Sequence, residues 1–119
     1  MKDNVIVTKT FRFAVKVVEC YKMLCNTSKE YVLSKQLLSS GTSIGANVRE
    51  AVQAQSKKDF VSKMSISLKE AYETQYWIEL LKETEYIDNQ IASELIDQLD
   101  EIIRILSSII KSSKDNKQK

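Results

Sequence analysis

Glu70 and Glu73 are three residues apart, so on a helix their carboxylates share one face, and helical bundles use such pairs to hold metal ions. In the di-iron pattern a histidine stands three positions after the glutamate and supplies a nitrogen ligand. This chain has no histidine. An all-carboxylate magnesium or calcium site would bring a loop signature, and none is present. Nucleophilic catalysis has no better footing. The serines and the cysteines Cys20 and Cys25 lack a histidine base, and either thiol would need a nearby cation to become a thiolate. Five positions apart on a helix, the cysteines diverge by about 140°, so they do not pair within it. No further cysteine completes a zinc site. The glycine-bounded run Gly41-Thr42-Ser43-Ile44-Gly45 is not a phosphate loop, because no Lys-Ser/Thr pair follows and no strand precedes it. The expectation is a protein that is not an enzyme, with no catalytic residues, cofactor or metal.

Binding chemistry has two candidate groups. Ser43, Asn47 and Glu50, spaced four and then three, share one side of a helix, and Glu70 and Glu73 hold comparable positions on the next. Arg49 and Lys69 are close by in sequence. Such a set forms either a binding cleft or a structural polar network that fixes helix register, the commoner use. The second group is basic. Arg12 and Lys16 are one turn apart, while Lys57, Lys58 and Lys63 crowd the start of a later helix. Lysines near a helix N-terminus oppose the macrodipole, a cost that phosphate contact would explain. A solvated face is the usual role of such residues. Tyr72, Tyr76 and Trp77 could stack bases, although at helical spacing aromatics usually serve a core or interface. With 18 basic and 16 acidic side chains the net charge is +2, too small to attract nucleic acid in bulk.

The elements that must position these residues are helices. Among 119 residues there is no proline and there are only two glycines, whereas sheet folds need many turns built from both. The first helix is expected from about Asn4 or Thr8 to Leu24, with rows Phe11, Ala14, Val18, Tyr21, Cys25 and Phe13, Val17, Cys20, Leu24. Thr27 and Glu30 make a capping box for the second helix, whose core face carries Leu33, Leu37, Ile44, Val48 and Ala51. Gly41 lies on that stripe, and Gly45 stands one turn later. A helical glycine costs about 1 kcal/mol against alanine, so the pair implies close helix packing. Ser56 and Asp59 open the third helix, with Phe60, Met64, Ser67, Leu68, Ala71, Ile78 and Leu81 inward and Tyr72, Tyr76 and Trp77 widening the arc. Asp88 caps the fourth, whose rows are Ile91, Leu95, Leu99, Ile102, Leu106, Ile109 and Ala92, Ile96, Ile103, Ile110.

Short connections between helices of similar length predict an all-α fold, an antiparallel up-down-up-down four-helix bundle. One domain spans residues 1–119, with residues 112–119 as a flexible tail. No apolar run approaches the roughly 18 residues of a membrane span, and no signal segment opens the chain, so a cytoplasmic protein with no membrane partner is expected. Doubled apolar rows exceed the roughly three positions in seven that a monomeric bundle buries, which predicts a homo-oligomer.

The central segment resembles the four-helix-bundle family of proteins encoded in intervening sequences of bacterial large-subunit ribosomal RNA genes. The resemblance rests on Gln36, then Ser43-Ile44-Gly45-Ala46-Asn47-Val48-Arg49-Glu50, then Ser56-Lys57-Lys58-Asp59-Phe60, with Ile66 and Glu73 beyond. It implies a ring-shaped homopentamer. The family includes the retroelement accessory variability protein, which associates with a reverse transcriptase and with nucleic acid through a basic surface. RNA, DNA or a nucleic-acid-processing protein are therefore the implied partners, with Arg12, Lys16, Lys57, Lys58 and Lys63 as candidate contacts. Leu38 and Ser39 stand where many relatives carry basic residues, and Ala51 where a glycine often follows the glutamate. Together these readings predict a non-enzymatic oligomeric scaffold that binds RNA or DNA through a basic surface. The alternative is a purely structural, protein-partner-binding bundle with no nucleic-acid role.

Overall fold

The computed structural model describes residues 2–117. It contains four helices, α1 (Lys2–Thr27), α2 (Leu33–Val52), α3 (Lys57–Glu83) and α4 (Asn89–Lys117). Each packs on its sequence neighbour, and α1 closes the ring on α4 along the loosest of the four seams. α1 and α3 stand on one diagonal and α2 and α4 on the other, which is the expected all-α, antiparallel up-down-up-down bundle. The molecule measures 52 × 22 × 21 Å.

The core takes one row from each helix. α1 buries Phe13, Val17, Cys20 and Leu24; α2 buries Leu37, Ile44, Val48 and Ala51. α3 contributes Met64, Ala71, Ile78 and Leu81, and α4 contributes Leu95, Leu99, Ile102 and Leu106. The second α1 row is not core: Phe11 is exposed, and Ala14, Val18, Tyr21 and Cys25 are half-buried. On α3, Tyr72 and Tyr76 point to solvent and do not widen the core, while Trp77 is half-buried. Ile96, Ile103 and Ile110 of α4 sit half-buried along the core edge.

The helix ends follow the expected caps in two places and depart in two. Ser56 accepts from the Asp59 amide at 3.0 Å, and the Asp88 carboxylate accepts from the Ile91 amide at 2.8 Å. The Thr27–Glu30 capping box does not form, because Thr27 is still inside α1. α1 ends instead through Lys29 at φ 55°, with the Glu30 amide donating back to the Leu24 carbonyl at 3.1 Å. Glu30 does cap α2, from outside the helix: its carboxylate accepts from the amides of Val32, Leu33 and Ser34 at 3.2, 3.1 and 2.7 Å. The other departure is the tail. α4 continues through Ser112–Ser113 to Lys117, since this polar stretch holds neither proline nor glycine to stop it.

Candidate functional site

The two glycines set the approach of α2 to α1. A Cβ on Gly41 would stand 2.8 Å from both γ-carbons of Val17, closer than real Cβ contacts. On Gly45 it would meet the Thr10 hydroxyl at 3.3 Å and its carbonyl oxygen at 3.4 Å. Thr10 is itself fixed by donating to the Ile6 carbonyl at 2.8 Å. Both glycines therefore serve the α1–α2 seam. Just outside it, the Arg49 guanidinium lies 5.1 Å from the centre of the exposed Phe11 ring, a cation–π distance.

The residues from the candidate polar network all border the outer rim of the α2–α3 seam, but they are not linked into one network. Asn47 donates within α2 to the Ser43 carbonyl at 2.9 Å. Exposed Glu50 crosses to α3, where Lys63 reaches it at 3.1 Å. Glu73 accepts from the Trp77 indole N–H at 3.3 Å. Glu70 is half-buried, and burial followed by the Glu73 charge pushes its carboxyl above the ordinary value, with Lys69 opposing.

The buried polar ties between these helices come from other residues. Ser67 donates to the Ile44 carbonyl at 2.8 Å. Thr74 Oγ1 lies 2.9 Å from Ser40 Oγ and 2.7 Å from the Glu70 carbonyl. One hydroxyl proton serves one of these contacts; with Thr74 donating to the carbonyl, Ser40 donates to Thr74. Ser40, Ser67 and Thr74 were readable as small hydroxyls inside apolar stripes, a pattern that marks inward polar groups needing partners.

The basic candidates divide between two faces. Exposed Arg12 and Lys16 line a groove of about 450 Å³ between α1 and α4, together with Lys9, Gln98 and Glu101. Lys9 pairs with Glu101 at 3.1 Å, and Lys16 reaches Glu19 at 3.8 Å. Arg12 forms no ion pair among the described residues. Lys57 and Lys58 are exposed at the start of α3, and Lys63 faces Glu50 across the α2–α3 seam. Since α1 and α3 are diagonal, the structure does not join the two sets into one surface.

Burial pushes the Cys20 thiol up to about 11, so it stays neutral. Cys25 is half-buried, with its Sγ 4.0 Å from the Ser34 hydroxyl. Among the described residues no three His, Cys, Asp or Glu side chains gather to hold a metal ion. No described helix is long and apolar enough to cross a membrane.

None of the curated proteins matches the chain. A crystal structure does: a protein of unknown function from the S23 ribosomal protein family of Bacteroides thetaiotaomicron. It is 56% identical, with a TM-score of 0.92, and the match covers 93% of this chain and 99% of that one. A family model also matches residues 2–108, among them the Ser43–Glu50 run, the two helix-waist glycines and the Ser56 cap. On that match, spanning all four helices, the chain belongs to the 23S rRNA-intervening sequence protein family.

Proposed function

We propose that the protein is a non-enzymatic cytoplasmic scaffold that works as a homo-oligomer. The observation that carries this reading is the outer face of α1, where Val5, Phe11 and Val15 are 46%, 54% and 43% exposed beside two grooves. Apolar side chains clustered in this way are the usual mark of a surface covered by another chain. The resemblance to ring-forming relatives supports five copies. The absence of histidine and the neutral Cys20 thiol support a role without catalysis.

Light scattering behind size exclusion on the full chain tests the reading. The expected result at micromolar concentration is a mass several times that of one chain, and a single-chain mass overturns it. A second reading, contact with RNA or DNA, is favoured by one observation: Arg12 and Lys16 project side by side from the same groove. The purely structural alternative, a bundle that binds only protein partners, uses the same α1 face without phosphate.

A further inference from the structure

The outer face of α3 carries a patch whose chemistry is the inverse of the α1 patch. Ile66, Glu70, Glu73 and Trp77 follow at four, three and four residues, so they form one stripe. Ile66 and the adjacent Tyr76 are 41% and 57% exposed. Tyr76 and Trp77 pack edge to face, with ring centres 5.0 Å apart at 74°, and the Trp77 N–H holds the Glu73 carboxylate. Neither Glu70 nor Glu73 forms an ion pair among the described residues, although they repel each other along the helix. On α1 the apolar ridge Phe11 and Val15 is flanked by Arg12 and Lys16, with Arg49 on its other side. One patch is therefore apolar with cations, and the other is aromatic with anions.

Resting on the reading that the chain self-associates, we propose that the contact is head to tail. The α1 ridge of one copy docks on the Glu70–Trp77 stripe of the next. Charge complementarity selects this arrangement. A two-fold contact through α1 would set Arg12 and Lys16 near their own images, and one through α3 would do the same to Glu70 and Glu73. Either juxtaposes like charges. The diagonal placement of α1 and α3 keeps the patches apart within one copy, so each must find its complement on a different molecule. A contact between two different patches leaves one of each open on a dimer, and growth ends only when the assembly closes.

Charge reversal tests the pairing. The full chain is made as Arg12→Glu/Lys16→Glu, as Glu70→Lys/Glu73→Lys, and with all four changes together. Each is checked for helicity by circular dichroism and for mass by light scattering. Each pair alone is expected to fall to a single-chain mass, and the fourfold variant to regain the wild-type mass. Should a reversed chain lose helicity, the milder Arg12→Gln/Lys16→Gln and Glu70→Gln/Glu73→Gln pairs carry the same test. Each would weaken association about tenfold. Reversals that leave an oligomeric wild-type mass unchanged overturn the head-to-tail contact and leave self-association standing. The same holds if both pairs dissociate the assembly but the fourfold variant does not restore it. If Arg12→Glu/Lys16→Glu keeps its mass but loses affinity for a structured RNA, the ridge is a nucleic-acid surface and the proposal falls. A wild-type chain that is itself monomeric ends the self-association reading, and this contact with it.

Discussion

Gly41 and Gly45 lack the same side chain but face different neighbours. Alanine in place of a helical glycine gains about 1 kcal/mol of propensity. At Gly45 the new methyl would lie 3.3 Å from the Thr10 hydroxyl, so a small adjustment offsets most of that gain. At Gly41 it would lie 2.8 Å from two branches of Val17, whose stiff χ1 cannot swing both away. Gly41→Ala is therefore expected to destabilise the fold, and Gly41→Leu to cost roughly 1 to 3 kcal/mol by overpacking. Gly45→Ala should be nearly neutral. Urea denaturation checks the contrast, and Val17→Ala should recover part of the Gly41→Ala loss. An equal or higher midpoint for Gly41→Leu would show that the close approach is absent. Two glycines within an apolar helix pattern were legible as a packing device from the sequence. Their partners were not, because spacing along α2 gives its faces but not the residue of α1 that meets each one. The hydroxyls of Ser40, Ser67 and Thr74 were missed for a related reason: their polarity drew less notice than that of the charged residues nearby, which lie on the rim.

At the level of elements, the start of α2 shows how a correct residue can be given the wrong partner. Glu30 was legible as a capping carboxylate, but Thr27 belongs to the helix before. The reason is that α1 and α3 both end without glycine, through left-handed Lys29 at φ 55° and Glu85 at φ 67°. With no glycine to mark the stop, the end of α1 falls later than its apolar rows indicate. Burial raises the Glu30 carboxyl, but hydrogen bonds from the Ser34, Leu33 and Val32 amides and the Ser34 hydroxyl outweigh it and hold it below the usual carboxylate value. The sign follows. A depressed folded value gives stability that is present above the unfolded value of about 4.3 and lost as pH falls through the folded one. Glu30→Gln is thus expected to cost about 1 kcal/mol at neutral pH. Denaturation at a series of pH values should show that deficit shrinking towards zero in acid. A deficit independent of pH would mean that the carboxylate charge contributes nothing to the cap.

For the whole molecule, the fold was legible because four long periodic segments joined by short connectors leave few alternatives to an antiparallel bundle. The surface was less so. Periodicity shows that α1 and α4 carry surplus apolar residues, but only the packing order reveals that Phe11 and Val15 lie outside. It also separates Arg12 and Lys16 from Lys57, Lys58 and Lys63, which the sequence presents as one basic set. That separation bounds any affinity for nucleic acid. With Arg12 and Lys16 as the only candidate pair on one face, RNA binding should weaken with salt at a log–log slope no steeper than about −2. Salt-titrated binding to a structured RNA measures it. A slope of about −5 or steeper would mean that cations from both faces reach one molecule.

The loosest seam has one further consequence. It joins the first helix to be synthesised to the last. As the chain leaves the ribosome, the α1–α2 and α2–α3 seams close between segments already made, each across a short connector. The α1–α4 seam waits for the final residues, so the apolar flank of α1 stays open longest. A nascent chain therefore presents to its neighbours, on a shared messenger, a wider α1 face than the finished bundle keeps.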